Sequence, residues 1–125
     1  MTYVDGFVLP LPKGKEDEYR AQAEKFARKA EAQGAIGTIE GLGDNLEHGK
    51  TTDFFMAVKA KDDENVVFSF ILWPSKEVRD EAWQKLMADP EMQPGAQPMP
   101  FDGKRMFWGG FKPLLNTLEK TSVTA

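Results

Sequence analysis

The sequence predicts a single α+β domain: an antiparallel sheet with two helices on one face and a second face that is also apolar. Three observations carry this. The 125 residues amount to one domain. The elements follow the order strand, helix, strands, helix, strand. The strands lack the apolar–polar alternation of a half-exposed strand. In the run Val66 to Trp73, Val66, Phe68, Phe70 and Leu72 point one way, and Val67, Ile71 and Trp73 point the other.

The first strand spans Tyr3 to Leu9 and is expected to end at Pro10 and Pro12, because proline cannot donate to a ladder. A helix over Lys15 to Gln33 follows, with Tyr19, Ala23, Phe26 and Ala30 on one narrow arc. Its acidic start (Glu16, Asp17, Glu18) and basic end (Lys25, Arg28, Lys29) suit the helix macrodipole, and Gly34 stops it. A second strand covers Ala35 to Gly43, where Gly37, Gly41 and Gly43 suggest bulges or a close backbone approach. After a polar loop, Asp44 to Thr52, a third strand is expected over Asp53 to Ala60, with Phe55 and Ala57 opposite Phe54, Met56 and Val58. A turn at Lys61 to Asn65 leads to the fourth strand, Val66 to Trp73, so strands two to four read as an antiparallel meander. Ser75 caps a second helix that runs to about Ala88 and stops at Asp89-Pro90. A loop with Pro90, Pro94, Pro98 and Pro100 and an Asp102-Gly103 turn precede the last strand, Lys104 to Phe111. The domain is read as residues 1–116, and the polar tail 117–125 is expected to fray.

Composition bounds the function. The chain is 41% hydrophobic and 29% charged, a globular balance. With no cysteine there is no disulfide framework, thiolate nucleophile or cysteine metal site, which fits a reducing, cytoplasmic setting. The residues Met1 to Gly6 do not read as a secretory leader. The longest apolar stretch, Val66 to Trp73, is interrupted by Ser69 and is far short of a membrane span. A net charge of −4 argues against a nucleic-acid partner, which needs clustered basic charge.

A sheet that is apolar on both faces needs two covers, and two helices supply one. At about 25 cal/mol per Å² of apolar surface, an open face forfeits many kcal/mol and invites aggregation. A homodimer through the open face is therefore expected. The competing account folds the loops over that face, a role their polar, proline-rich composition suits less well.

Specific segments carry a resemblance. Tyr3-Val4-Asp5-Gly6-Phe7, Pro74-Ser75-Lys76-Glu77-Val78-Arg79-Asp80, Met99-Pro100-Phe101-Asp102-Gly103-Lys104-Arg105-Met106 and Gly109-Gly110-Phe111 together resemble the YbaA-like family of unknown function. The likeness runs from about Tyr3 to Phe111. It implies a ferredoxin-like fold similar to the dimeric α/β-barrel superfamily, in which two sheets pack face to face and many members hold a pocket between helices and sheet. Some members of that superfamily are cofactor-free monooxygenases, some are isomerases, some act on haem, and some have no known activity. The resemblance implies fold and dimer, not a reaction. Trp83 departs from that family's expected pattern, where a smaller or polar residue is expected. If Trp83 lines a pocket, the ligand would differ.

Arg79 is the charged residue most out of place. On a helical wheel it falls among Val78, Ala82, Trp83 and Leu86, while Asp80, Glu81, Gln84 and Lys85 face solvent. A guanidinium on a buried arc needs a carboxylate or an anionic ligand; the plainer account is an internal ion pair, or a stem lying along the sheet. Asp5 shares a strand face with Tyr3 and Phe7, where a carboxylate can serve as acid or base; the plainer account pairs it with Arg79 or Arg105, or has it cap backbone near Gly6. Glu40, in the glycine-rich second strand, faces either a pocket or solvent. Asp5, Glu40, Arg79, Trp83 and Arg105 are thus the candidate ligand-binding residues, with Asp5 and Arg79 the catalytic candidates. Asp102, Lys104 and Arg105 flank a turn that resembles many solvated clusters. His48, the only histidine, lies in a polar loop without a second ligand spaced nearby, so neither a metal, a haem nor a catalytic triad is supported. Gly41-Leu42-Gly43 lacks the rest of a phosphate loop. The aromatic residues at strand spacing read as core or interface. No cofactor is implied.

Three functions remain open: a small-molecule-binding protein, a cofactor-independent enzyme (monooxygenase- or isomerase-like) on a small aromatic or carbonyl compound, and a non-catalytic structural or stress-related dimer. An apolar pocket lacking convergent charge favours the first. A pocket holding both Asp5 and Arg79 favours the second. A satisfied Asp5–Arg79 pair in a filled core favours the third.

Overall fold

The computed structural model describes residues 1–93 and 98–119, so Pro94 and the end of the tail lie outside the described residues. Strand β1 (Tyr3–Pro12) leads to helix α1 (Glu16–Ala32) and strand β2 (Gly37–Leu42). A one-turn helix α2 (Phe54–Ala57) precedes strand β3 (Glu64–Trp73), helix α3 (Lys76–Ala88) and strand β4 (Phe107–Phe111). Short 3-10 turns occupy Pro90–Met92 and Gly103–Arg105. The sheet order is β2-β3-β1-β4, and every neighbouring pair is antiparallel. This is the ferredoxin-like arrangement, with the two long strands central and β2 and β4 at the edges.

Local chemistry sets the helix ends. The Ser75 hydroxyl accepts from the Val78 amide at 3.1 Å and starts α3. Asp89 then accepts from the Glu91 amide and opens the 3-10 turn at Pro90. Gly34 terminates α1 with φ of 111°, a left-handed conformation that glycine adopts freely. Lys29 binds both Asp89 and Glu91, and Gln22 donates to the Pro98 carbonyl, so α1 is tied to the segment after α3.

Register fixes the two faces. Tyr3, Asp5, Phe7, Leu9 and Leu11 lie opposite Trp73, Ile71, Ser69, Val67 and Asn65, and point towards α1 and α3. Ala30, Ile71, Trp73 and Ala82 form one buried cluster there, and Leu9, Leu11 and Val67 another. The other face presents Val4, Val8, Val66, Phe68, Phe70 and Leu72, flanked by Ile39 on β2 and by Phe107 and Phe111 on β4. This face is open from Phe68 on β3 to both edges: Ile39 is 57% exposed, Phe68 49% and Phe111 62%.

Several expectations are corrected. Residues 53–60 are not a strand. Asp53 accepts from the Met56 amide at 2.6 Å and caps α2, and Lys59 turns the chain out of it at φ 51°. The three-strand meander therefore reduces to a β2–β3 pair joined by a long excursion. That excursion also answers part of the covering problem: Leu46, Phe55, Val58 and Ala60 pack over Val8 and Val66, so loop residues cover one end of the second face. β1 does not end at Leu9. Pro10 and Pro12 stay in register with Val66 and Glu64. β4 pairs only with Val4 to Val8, so beyond Val8 one side of β1 is an edge, where a missing N–H is tolerated. The last strand starts at Phe107, after the Asp102-capped turn. The glycines of β2 make no bulge in its register, but a close approach is real: a Cβ on Gly41 would lie 3.1 Å from the Phe68 carbonyl oxygen.

Candidate functional site

Beneath α3, Asp5 is almost wholly buried, at 1% exposure. Its Oδ2 accepts from the indoles of Trp73 (2.9 Å) and Trp83 (2.8 Å) and from Arg79 Nε (3.0 Å). Its Oδ1 accepts from Arg79 Nη2 at 2.7 Å and Nε at 3.1 Å. Arg79 also donates from Nη1 to Asp80, and its guanidinium lies 5.2 Å from the centre of the Tyr3 ring. The bonds to Asp5 hold the guanidinium charged well beyond the ordinary arginine range, against the opposing effect of desolvation. Trp83 packs at 6.4 Å from Phe7 and 5.6 Å from Phe26, ring centre to ring centre. Asp5, Arg79 and Trp83 are thus together, as a buried carboxylate saturated by donors. Trp83 serves the ion pair.

Glu40 lies elsewhere, in a cleft of about 390 Å³ between α1 and the β2 side of the sheet. Leu11, Ala23, Ala27, Leu42 and Val67 give it apolar walls, and Tyr19, Thr38, Glu40, Glu16, Arg20 and Glu24 bring the polar groups. The Tyr19 hydroxyl donates to Glu40 Oε1 at 2.6 Å. Glu40 is opposite Ser69 in the ladder, and the Ser69 hydroxyl also bonds its carboxylate. Glu40 as a residue is reached through the cleft mouth, yet the walls strip enough water from its carboxyl to raise its pKa, against the lowering effect of both hydroxyls. Burial, and then the adjacent Glu40 charge, keep the Tyr19 phenol protonated far above its usual range. The Thr38 hydroxyl oxygen is buried without a partner among the described residues.

Arg105 is remote from both. It clasps Glu64 through Nη1 (2.7 Å) and Nη2 (2.8 Å), bonds Asp102 through Nε, and donates to the Lys59 carbonyl. The bidentate guanidinium pulls the buried Glu64 carboxyl below its ordinary range. Glu64 itself receives the Lys61 amide, so this cluster pins the turn before β3 to the turn before β4. His48 stacks on Phe55 with ring centres 4.4 Å apart and lies 4.0 Å from Asp53. Among the described residues, no group of three or more histidine or acidic side chains could hold a metal ion, and no helix is long and apolar enough to cross a membrane.

The five sequence candidates therefore divide among three places: Asp5, Arg79 and Trp83 in one, Glu40 in the cleft, and Arg105 in a turn clasp. Sequence reasoning assigned Tyr19 to the apolar arc of α1 and passed over Thr38 and Ser69. The available signal was the β2 parity, which sets Thr38 and Glu40 on one face.

Fold and site together define a ferredoxin-like α+β protein with a cleft beneath its first helix that has apolar walls and a few polar groups. The chain matches the family described as "Protein of unknown function (DUF1428)" over residues 2–103, and it belongs to that family. It is 51% identical over 116 residues to "Uncharacterized protein YbaA" of Escherichia coli (strain K12), a match covering 93% of this chain and 99% of the relative. The protein of the same name from Shigella flexneri matches to the same extent. Among solved structures, two crystal structures of SnoaB, a cofactor-independent oxygenase from Streptomyces nogalater, align over 94% of this chain and 96% of theirs at 16% identity. Their TM-scores are 0.49 for a mutant form and 0.48 for the other.

Proposed function

We propose that this protein binds a small molecule in the α1–β2 cleft and does so as a homodimer closed through the open sheet face. The observation that carries the binding reading is the Tyr19–Glu40 pair with the orphaned Thr38 hydroxyl in one apolar cleft. A cleft of about 390 Å³ is within the range of small-ligand sites, and a few convergent polar groups on apolar walls are what such sites use for orientation. A partly desolvated carboxylate costs stability where it stands, and such costs concentrate at functional sites.

The saturated Asp5–Arg79 pair speaks for a structural role for those two residues, in keeping with a dimer whose core is filled. The apolar cleft supplies the binding function separately from that pair. The enzyme alternative rests on Glu40, whose raised proton affinity suits an acid or base, and no longer on Asp5.

The test is a fragment screen by ligand-observed NMR, repeated on Ala27→Phe, which fills the cleft from α1. Hits that bind the parent and fail on the filled variant support the reading. An unchanged set of hits, or none at all, removes it.

A further inference from the structure

The cleft is charged asymmetrically. Glu16, Glu24 and Glu40 stand on it against Arg20 alone. Arg20 lies 3.8 Å from Glu24, so its charge is already answered in part. Leu11, Ala23, Ala27, Leu42 and Val67 make the aliphatic walls. Two polar groups keep unused capacity. The Thr38 hydroxyl has no partner among the described residues. The Glu40 carboxylate takes hydrogen bonds from Tyr19 and Ser69 but offers about four lone-pair sites.

Electrostatics then sort the ligands. An anion would sit against a carboxylate that has lost part of its hydration and has no cation bonded to it among the described residues. A neutral molecule would leave that carboxylate uncompensated. A cation would return to Glu40 what burial removes, and its N–H groups would form charge-assisted bonds. We infer that the cleft recognises a small amphiphilic ammonium, an aliphatic or alicyclic amine in its protonated form, with its N–H donors on Glu40 and Thr38 and its hydrocarbon against Leu11, Leu42 and Val67. The inference rests on the binding function proposed for the same cleft and gives it a ligand class.

Three probes of one shape separate the possibilities: cyclohexylmethylamine, cyclohexylmethanol and cyclohexanecarboxylate, titrated calorimetrically at neutral pH into the full-length protein. The amine is expected to bind more tightly than the alcohol, on the order of tenfold, with the carboxylate weakest. Glu40→Gln is expected to erase the preference for the amine over the alcohol, and Thr38→Val to weaken the amine severalfold. The parent protein's selectivity needs no variant to fold. Equal binding of amine and alcohol, or preference for the carboxylate, overturns the ammonium assignment and leaves the cleft reading standing when Ala27→Phe abolishes that binding. Binding of none of the three overturns the assignment, and with an empty fragment screen the cleft reading falls too.

Discussion

Asp5 accepts hydrogen bonds from two indoles and a guanidinium at once; the indoles are held by packing, and the guanidinium by Asp80 and the Tyr3 ring. Removing one partner of such a buried pair leaves the other uncompensated, which costs about 3–5 kcal/mol. Asp5→Ala should therefore lose stability in that range in urea unfolding. Trp83→Phe, which keeps an aromatic ring but removes the N–H donor and part of the indole, should lose about 1.5–3 kcal/mol. If Asp5→Ala costs less than Trp83→Phe, the cluster is not the structural centre described. Glu40 behaves oppositely. Its pKa is raised in the fold, so its contribution is fully present below its unfolded value, near 4.5, and is lost as pH rises through the folded value. Glu40→Gln keeps an acceptor for Tyr19 and removes the desolvated charge. It should be more stable than the parent at pH 7, with the difference closing as pH falls from the folded value towards about 4.5, as read from melting temperatures across pH. Glu64 has the other sign: its lowered pKa gives stability present above its unfolded value and lost as pH falls below it.

At the scale of elements, β4 is admitted beside β1 by glycine. A Cβ on Gly110 would come within 2.5 Å of the Tyr3 hydroxyl oxygen and 2.9 Å of Arg79 Nη2. Gly110→Ala should cost about 1–3 kcal/mol through overpacking and should disturb the Asp5 cluster from the strand side. A change below about 0.5 kcal/mol would mean that Tyr3 gives way freely. The long elements were legible in the sequence because their patterns are long: α1 and α3 within a residue or two of their ends, and β3 with both faces correctly divided. The short run Phe54-Phe55-Met56-Ala57-Val58 was not. Five apolar residues satisfy strand and helix patterns alike, and the deciding group is Asp53, whose side chain caps the turn. Proline misled at β1 because its cost depends on which edge is free, a fact of pairing rather than of the strand itself. The candidate site was legible only as Glu40. Tyr19 fits its apolar arc without remainder, and its hydroxyl finds a partner 21 residues away through tertiary packing.

At the scale of the whole molecule, the helices and the excursion through α2 leave Ile39, Phe68, Phe107 and Phe111 open on one sheet face, and Phe54, itself exposed, meets Phe68 at its rim. A second copy offers the same apolar surface, and a two-fold contact lets each sheet cover the other. The protein should therefore sediment as a dimer of the 14.0 kDa chain at micromolar concentration. Phe68→Glu, which sets a carboxylate mid-face, should yield a folded monomer, since burying an unpaired charge in an interface core is prohibitive. A parent protein that sediments as a monomer would sink the argument. The α1–β2 cleft is on the opposite side of the sheet, where Val67 rather than Phe68 points. Binding and assembly then draw on different faces of the same strands and should be nearly additive. The Phe68→Glu monomer should keep the parent's affinity for whatever the cleft binds; a monomer that folds yet loses that affinity would mean the partner subunit helps shape the cleft.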